Sequence, residues 1–544
     1  MLLVCRRSAL RAVMFVLVGV ASVIGVPRVA RSQEAATQVT ATDAAQAGAQ
    51  LETQRKWRDA IDHYKHALEN WPKDEGLKYG LRRAQFQFGI DRRYSDQSFL
   101  TTLRPMSRDA ALSVFDEILG HVRSHFVDPI DTTSVVAHGT ESLWLALKNE
   151  RFVEQNLFGA EQNRIDAFRD LLRERFWNKP VASDSEARQV ISEVCELGRK
   201  SLGLEAGAVV QEYVFGACNC LDDYSNVLTP GRLNDLYSNI EGEFVGIGIV
   251  MEAEIGKGMN LVQVLPESPA HEKGLRSGDC LVGIDGRDCR FMTTDEAAGL
   301  LTGQANSQVK LDVTGPAGRR EAAVTRREVQ VKSIPVAKII DSQNGIGYIQ
   351  MTGFQKSSAT ELDDALTKLE REGMKALIWD VRGNPGGLLT AAVEVLDRFI
   401  EKGTLVETRG RTYDQNYTYT AHEPGTHQVP IILLIDGSSA SASEIVAGAI
   451  RDHHRGKIVG RKSYGKWSVQ SIYDLRTGGG VRLTTAKFYS PSGDTLGKIG
   501  VKPDVEVTVK KGFGRTIGEV DAANDPDVAK AIELFRTDSV LTRR

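Results

Sequence analysis

The chain has 544 residues, a formal net charge of −3 and 41% hydrophobic residues, values that are ordinary for a folded globular protein. Its length is sufficient for about three or four domains. Because the chain has no basic excess to neutralise phosphates, the composition argues against nucleic-acid binding.

The N-terminus has the composition of an export segment. Arg6, Arg7 and Arg11 precede an apolar run at residues 12–26, which ends in small and polar residues. This order is typical of a secretory signal peptide. The run is short for a membrane-spanning helix, which needs roughly 20 residues, and an uncleaved anchor is the alternative. We therefore predict a signal peptide or membrane anchor over residues 1–33, and a location that is periplasmic or membrane-anchored facing the periplasm or outside.

Residues 34–100 contain a helical pattern that is similar to a known repeat. The spacing of Ala60, Tyr64, Ala67 and Pro72 is similar to the second helix of a tetratricopeptide repeat. No full second copy follows, and one repeat cannot bury its own face. We predict a tetratricopeptide-like segment here, with plain helices as the alternative, and a surface for an activator or adaptor.

Residues 101–238 are predicted to form a helical domain, because apolar residues recur at helical spacing along most of it. No catalytic motif stands out in this region. Cys218 and Cys220 are the most closely spaced cysteines, but they lack the second pair or the histidines that a zinc site requires. The sequence therefore predicts no metal and no cofactor.

From Phe244 onward the pattern changes to short β-rich runs separated by glycine turns, which predicts a small, partly open barrel. The stretch SPAHEKGLRSGDCLVGIDGRDC resembles the PDZ signature. The resemblance implies a PDZ domain over residues 239–330, with a carboxylate-binding loop formed by Phe244, Val245, Gly246, Ile247 and Gly248. Consecutive backbone N–H groups in such a loop can hold the terminal carboxylate of a peptide. A barrel whose glycines serve only turns is the alternative.

After Lys332 strands alternate with helices, which predicts an α/β domain over residues 331–515, followed by a C-terminal helix and tail at 516–544. Ligand sites in such sheets lie where strands end and helices begin. One such position carries DVRGNPGG, whose paired glycines expose backbone N–H groups suited to an oxyanion. A second carries the serine-rich stretch SSASASEI.

A serine nucleophile needs a base. His453 and His454 lie at the far end of the helix that the serines begin, too far along its axis to reach them. Lys466 is the other candidate, and it would have to be neutral near pH 7, which requires burial in apolar surroundings. Taken one by one, helix-capping serines and an exposed lysine remain the alternatives.

The PDZ signature, DVRGNPGG, SASASEI and YGKWSVQ occur in an order that resembles the C-terminal processing peptidases, also called tail-specific proteases. The resemblance covers roughly residues 110–540. It implies a multidomain α+β protein with a helical N-terminal region, a PDZ β-barrel-like domain and an α/β, crotonase-like Ser–Lys peptidase domain. Where this family usually has a glycine after the lysine, the chain has Trp467, which we expect to narrow the site or to desolvate the lysine.

The resemblance also implies roles for individual residues. Ser441 would be the nucleophile, Lys466 the general base, and Gln470 the residue that positions the lysine. Asp452 matches an acidic position that is counted with the active residues, although its distance along the helix favours a structural role. The oxyanion would be held by the N–H of Ala442 and one from Gly386 or Gly387.

The expected function is that of a serine endopeptidase that recognises free polypeptide C-termini through its PDZ domain and cleaves the peptide bond through an acyl-enzyme. Its partners would be proteins with unstructured C-termini, and an oligomer is compatible with the sequence. The alternative is a catalytically inactive PDZ and repeat scaffold that binds protein C-termini. A ligase or hydratase of a related α/β superfamily is disfavoured, because no coenzyme-binding motif is found.

Overall fold

A computed structural model of the chain describes residues 40–254, 256–316, 318–422, 426–495, 497–509 and 518–537. The predicted signal or anchor segment lies outside the described residues. Among the helices that are described, none is both long and apolar enough to cross a bilayer.

The helices are α1 Ala41–Thr53, α2 Trp57–Asn70, α3 Glu75–Tyr94, α4 Arg108–His125, α5 Thr132–Ala146, α6 Glu150–Asn156, α7 Gln162–Arg175, α8 Asp184–Leu202, α9 Ala206–Ala217, α10 Pro230–Glu241, α11 Pro269–Glu272, α12 Thr294–Leu301, α13 Ser358–Arg371, α14 Leu389–Asp397, α15 Ala442–Asp452 and α16 Pro526–Thr537. The strands are β1 Asn226–Leu228, β2 Glu243–Gly246, β3 Ile249–Glu254, β4 Gly258–Val264, β5 Cys280–Ile284, β6 Arg287–Asp288, β7 Gln308–Gly315, β8 Gly318–Thr325, β9 Arg327–Gln330, β10 Val336–Asp341, β11 Ile346–Gln350, β12 Ala376–Asp380, β13 Thr404–Gly410, β14 Tyr417–Thr420, β15 Ile431–Ile435, β16 Gly456–Gly460, β17 Ser468–Asp474, β18 Gly480–Tyr489 and β19 Val505–Glu506.

The chain divides into two compact units, of which the smaller is described over residues 40–92. In this unit the ring of Tyr64 on α2 lies between glycines of the two neighbouring helices, Gly48 on α1 and Gly80 on α3. A Cβ atom at Gly48 or Gly80 would lie 2.3 or 2.5 Å from the ring, so only glycine allows this packing. The Tyr64 hydroxyl donates to Glu52 at 2.6 Å. The third helix thus supplies the cover that a single repeat lacks.

The larger unit begins at Arg93 and opens with helices α4 to α9, whose buried faces pack on one another. The sequence predicted a helical domain over residues 101–238, but this region also contains a strand. Strand β1 follows α9 and pairs antiparallel with β18, with Val227 opposite Val481. The helical region therefore contributes a strand to a sheet whose other strands, β13, β14, β17 and β18, come from the C-terminal half of the chain.

Strands β3, β4, β5, β7 and β8 form one antiparallel sheet in that order, with β6 paired to β5, and helices α11 and α12 complete a small domain with its own apolar core. Strand β3 lies at one edge of this sheet and β8 at the other. Strands β2 and β9 form a separate antiparallel pair at its entrance and exit, with Phe244 opposite Val329.

The main sheet has the order β10–β11–β12–β15–β16–β19, and all its pairs are parallel except β10 with β11. Strands β11, β12 and β15 are buried along their whole length. Alternate residues of β12 enter two cores, Leu377 and Trp379 on the face covered by α13, α14 and α15, and Ala376 and Ile378 on the face covered by α16. A sheet covered on both faces is the expected setting for parallel strands.

Candidate active site

The two strand ends that the sequence singled out lie side by side. Strands β12 and β15 are parallel neighbours, with Asp380 opposite Leu434. The first leads through residues 381–388 into α14, and the second leads through residues 436–441 into α15. Because the carboxyl ends of parallel strands meet at one edge of the sheet, the glycine loop and the serine loop are in contact.

Two of the clustered serines join these loops. The Ser439 hydroxyl donates to the carbonyl of Val381 at 2.9 Å, and the Ser443 hydroxyl donates to the carbonyl of Asn384 at 2.9 Å. Both serines are buried. The half-buried Ser441 differs from them: among the described residues its Oγ makes no hydrogen bond to the glycine loop, and its side chain instead faces the backbone N–H of Glu444 in a capping box. Ser441 is therefore not one of the serines that hold the two loops together.

Ser441 occupies an unusual backbone conformation at the start of α15. Its φ is 56° and its ψ is −114°, a region that residues with a Cβ rarely adopt. Such a conformation costs about 1–3 kcal/mol and persists only where the surroundings impose it. The bend turns the chain from the strand end into the helix within one residue.

The buried carboxylate of Glu444 imposes this conformation and also fixes the lysine loop. Its Oε2 accepts the backbone N–H groups of Ser441 and Lys466, each at 2.9 Å, and its Oε1 accepts the N–H of Gly465 at 2.7 Å and the hydroxyl of Ser463 at 2.6 Å. Burial raises the pKa of Glu444, and these hydrogen bonds act against that rise. Glu444 was not predicted, although a glutamate three residues after a serine at a helix start is a known signal.

Lys466 lies in surroundings that favour its neutral form. Burial lowers its pKa to about 8, and the positive charge of Arg482 acts in the same direction, whereas Asp222 and Glu444 oppose the shift. The Lys466 ammonium also lies 4.7 Å from the centre of the Tyr224 ring, a cation–π contact that stabilises the charged form and so acts against the effect of burial. With this pKa roughly a tenth of the lysine is neutral at pH 7, compared with well below a thousandth for an ordinary lysine.

The helical region supplies part of the lysine environment, which the sequence did not indicate. Tyr224 and Asp222 come from the segment between α9 and β1. The Asp222 carboxylate accepts the backbone N–H groups of Tyr224 and Ser225 at 3.1 and 2.8 Å, and Arg482 Nε donates to the Tyr224 carbonyl at 3.1 Å. No local pattern at residues 222–225 links them to a lysine so far along the chain.

Ser441 and Lys466 are joined through their backbones and not through their side chains. Among the described residues no hydrogen bond connects Ser441 Oγ with Lys466 Nζ, and Glu444 is the group that bonds to both. Catalytic hydrogen bonds are often long without substrate and tighten when it binds. The structure therefore places the backbones of Ser441 and Lys466 close together, although their side chains are not hydrogen-bonded to each other.

Among the described residues two backbone N–H groups have no hydrogen-bond partner, that of Ala442 at the start of α15 and that of Gly387 in the glycine loop. Gly386 is not equivalent to its neighbour, because its N–H donates to the Asn384 side chain at 2.8 Å. A Cβ on Gly386 would lie 2.9 Å from both Ser441 Cβ and the Ala442 nitrogen. Of the two glycines proposed as oxyanion donors, the geometry favours Gly387.

Among the described residues Gln470 makes no hydrogen bond to the lysine side chain. Its Nε2 donates to the carbonyl and hydroxyl of Ser468, at 3.1 and 2.8 Å, and to Thr484 Oγ1 at 3.4 Å. A positioning role for Gln470 stays a prediction.

Asp452 lies at the opposite end of α15 from Ser441, about 16 Å along the axis at the usual rise. Its carboxylate accepts the N–H of Ser492 at 3.0 Å, the hydroxyl of Ser492 at 2.7 Å and Arg451 Nε at 2.6 Å. Burial acts to raise its pKa, but these hydrogen bonds outweigh burial and hold the pKa at about 2. The contacts give Asp452 a structural role in holding the turn after β18.

Trp467 does not line the site, contrary to the expectation that its ring would narrow it. The ring is buried in the main core, stacked on Phe488 with 4.6 Å between ring centres and packed against Gly448 of α15. Because consecutive residues point to opposite sides near a strand, Trp467 packs under the helix while Lys466 faces the opposite way.

Only the last two residues of the predicted carboxylate loop, Ile247 and Gly248, lie outside a strand, and the binding role of this segment stays a prediction. Phe244, Val245 and Gly246 lie in β2, paired with β9. The N–H groups of Ile247 and Gly248 have no hydrogen-bond partner within the described ranges, and the carbonyl of each is held by α11 or the turn before it. Next to them the edge strand β3 runs beside α12. As for metals, no group of three or more candidate ligands occurs in the described part of the chain.

Comparison with known proteins agrees with this architecture. Residues 345–507 match the model of peptidase family S41, and residues 261–314 match a PDZ domain. The carboxy-terminal-processing protease of Bartonella bacilliformis is 34% identical over 326 residues, which cover 57% of this chain and 73% of that protein. The carboxyl-terminal-processing protease of a Picosynechococcus species is 30% identical over 412 residues, covering 74% and 92%. The solved photosystem II D1 C-terminal processing protease is 24% identical, with a TM-score of 0.39 and coverage of 73% and 93%.

These matches define the class as a serine-type peptidase, a hydrolase that carries a PDZ domain. The chain belongs to the family of carboxyl-terminal-processing proteases within peptidase family S41.

Proposed function

We propose that the protein is an endopeptidase that binds free polypeptide C-termini through its PDZ domain and cleaves with Ser441 as nucleophile and Lys466 as general base. The observation that carries this proposal is the Glu444 carboxylate, which accepts the N–H groups of both residues. The lowered pKa of Lys466, to about 8, supports the assignment of the base.

The substrate would dock by its terminal carboxylate on the N–H groups of Ile247 and Gly248, and its last residues would extend β3 as an added strand. The edge position of β3 supports this mode, since its outer side is not paired with another strand of its sheet. Substrates would be proteins with unstructured C-termini, because an extended strand requires a segment free of its own fold.

In the chemical step, neutral Lys466 would take the proton from Ser441 Oγ as it attacks the scissile carbonyl. The negative charge on the carbonyl oxygen would be held by the N–H groups of Ala442 and Gly387. The protonated lysine would then give its proton to the leaving amine, which leaves an acyl-enzyme ester. Water would attack this ester with Lys466 again as base, releasing the acid and restoring the serine.

An inactive scaffold that only binds C-termini is the competing function. The strained φ of Ser441 and the burial of Glu444 disfavour it, because both cost free energy that a pure binding protein has no reason to retain. We further propose that the protein is exported, as residues 1–33 suggest, and that residues 40–92 form a surface for an activator or adaptor.

The test is cleavage of a disordered polypeptide with an apolar C-terminus by the protein from residue 34 onward. Ser441→Ala and Lys466→Ala should each abolish cleavage, while the neighbouring Ser438→Ala and Lys462→Ala, both at exposed positions, should cleave at rates within about twofold of the wild type. Amidation of the substrate C-terminus should weaken cleavage. Binding of the free tail without cleavage by the wild type would favour the scaffold.

A further inference from the structure

A buried cluster of charges connects the C-terminal segment with the loop that carries the oxyanion glycines. At its centre is Arg382, which lies two residues after the end of β12 and whose side chain is fully buried. All five side-chain N–H groups of an arginine require acceptors when buried. Here Nε and one Nη2 hydrogen go to Asp380, at 2.9 and 2.6 Å. The other three go to Asp525 and Asp527, at 2.5 to 2.9 Å.

Asp527 also reaches the loop that leads to the general base. Arg461 Nη1 donates to both carboxylate oxygens of Asp527, at 2.7 and 2.9 Å. Arg461 directly follows β16 and stands five residues before Lys466. A single buried carboxylate from the C-terminal segment is therefore bonded to the segments that carry the oxyanion glycines and the lysine.

The connection from Arg382 to the reacting atoms is short. The next residue, Gly383, donates its N–H to Asp436 at 2.9 Å. The carbonyl of Asn384 accepts the N–H of Ala440 at 3.1 Å, and its side chain accepts the N–H of Gly386 at 2.8 Å. A shift of Arg382 would therefore move the glycine loop relative to Ser441 and Ala442.

The C-terminal segment is itself firmly placed. Asp525 Oδ1 accepts the N–H groups of Asp527 and Val528 at the start of α16. Val528, Ala531 and Phe535 of α16 pack against the face of the main sheet opposite α15. The two aspartates thus sit on a helix start whose position is fixed by apolar packing, and they can act as a rigid support.

We propose that Asp525 and Asp527 are positioning residues of the active site, which through Arg382 and Arg461 hold the Gly386–Gly387 loop and the Lys466 loop in the arrangement that the transition state requires. This inference rests on the proposed function, and it adds to it a requirement for the C-terminal segment. Misplacement of an oxyanion donor by about 1 Å is enough to lower catalysis by about two orders of magnitude.

The experiment compares Asp525→Asn and Asp527→Asn with Glu533→Gln, a control on α16 whose side chain is exposed and pairs only with Lys530 in the described contacts. Each full-length variant is assayed for kcat and KM on the disordered substrate, for the rate at which a fluorophosphonate labels Ser441, and for its thermal midpoint. Assays are run well below the lowest midpoint, so that every variant is folded.

We expect each aspartate variant to lower kcat and the labelling rate about tenfold or more with KM within about twofold, because the groups that bind the substrate are not disturbed. The Glu533→Gln control should stay within about twofold on every measure. Wild-type rates in a folded Asp525→Asn or Asp527→Asn would overturn the inference, as would a change in KM alone. Should Asp527→Asn fail to fold, Arg461→Gln takes its place. This substitution removes the ion pair between Arg461 and Asp527 at a partly exposed side chain, and it is judged by the same criteria.

The same data separate this inference from the proposed function. If wild-type Ser441 is not labelled, or if Ser441→Ala still cleaves, the proposed dyad is wrong. If wild type is labelled and the aspartate variants are labelled equally fast, the dyad stands and the positioning role fails.

Discussion

Glu444 and Lys466 are bonded through the lysine backbone, at 2.9 Å from carboxylate oxygen to amide nitrogen, and not through the lysine side chain. The carboxylate thus fixes where the lysine stands in the chain and leaves its ammonium free to titrate.

Glu444→Gln should therefore reduce kcat by about ten- to a hundredfold. All four groups that Glu444 binds are donors, and an amide would turn its own N–H groups towards two of them. Steady-state kinetics with Glu394→Gln, an exposed glutamate on α14, as the matched control would measure the effect. An unchanged kcat in folded Glu444→Gln would argue against the positioning role.

The pH dependence should report the lysine. If Lys466 must be neutral to act, kcat/KM should rise with pH and level off above about 8, where its pKa lies. Asp222 raises this pKa and Arg482 lowers it. Asp222→Asn should thus move the inflection to lower pH, and Arg482→Gln should move it to higher pH. Profiles that do not shift in these two directions would mean that another group controls the rate.

The same lowered pKa has a consequence for stability. The unfolded chain, with an ordinary lysine pKa near 10.5, binds more protons than the folded one between pH 8 and 10.5, so the free energy of unfolding should rise with pH across that window. At pH 7 the buried charge is a cost, and Lys466→Met should stabilise the protein by roughly 1–2 kcal/mol, after allowance for solvent screening. Chemical denaturation at pH 7 and pH 10 would measure it, and a destabilised Lys466→Met would contradict the assignment.

Gly386 and Gly373 offer a matched pair of substitutions. Both have a positive φ, 103° and 89°, so that alanine is strained at either position. Only at Gly386 would the added Cβ meet Ser441 and Ala442, because the space around Gly373 is open. Gly386→Ala should lower kcat about a hundredfold or more, whereas Gly373→Ala should cost only stability. Equal activity of the two variants would be inconsistent with the described packing.

Asp452→Asn should lower the stability of the protein and leave kcat of the folded enzyme unchanged. Loss of its charged hydrogen bonds to Arg451 and Ser492 should lower the free energy of unfolding by about 1–3 kcal/mol. This contribution is present above the ordinary carboxyl pKa of 3.8 and is lost as pH falls towards about 2. Denaturant titration with Asp364→Asn as an exposed control would measure it, and a loss of kcat in fully folded Asp452→Asn would instead indicate a direct catalytic role.

Two glycines on α3 test the packing of the smaller unit. Gly80→Ala would place a Cβ 2.5 Å from the Tyr64 ring and should unfold this unit or expose it to proteolysis. Gly89 has open space around it, and Gly89→Ala should stabilise the helix by up to about 1 kcal/mol. Limited proteolysis of the full chain followed by mass spectrometry distinguishes the two variants. Equal resistance of both variants to the protease would contradict the packing of the Tyr64 ring between Gly48 and Gly80.

The sequence predicted well the features that are written in short stretches of chain. Periodicity and glycine spacing predict the alternation of strand and helix after Lys332. They also predict the two strand ends that are followed by the glycine loop and the serine loop, and the structure places those ends together. The order of motifs predicted the family, which the comparisons confirm.

What the sequence did not predict depends on contacts between distant residues. Tyr224 meets Lys466 only because β1 pairs with β18, and a three-residue strand gives no usable pattern by itself. The choice between Gly386 and Gly387 depends on one hydrogen bond to Asn384, which no spacing rule reveals. Trp467 was assigned to the site because it neighbours Lys466, whereas the direction of its side chain is decided by the core.

The pairing of β1 with β18 also sets an order of events during synthesis. Asn226–Leu228 is made long before Gly480–Tyr489, so this strand must wait for its partner until most of the chain has emerged. The surroundings of Lys466 are completed only when both are present. The environment that lowers the pKa of Lys466 is therefore completed late, after both Ser441 and Lys466 have been made.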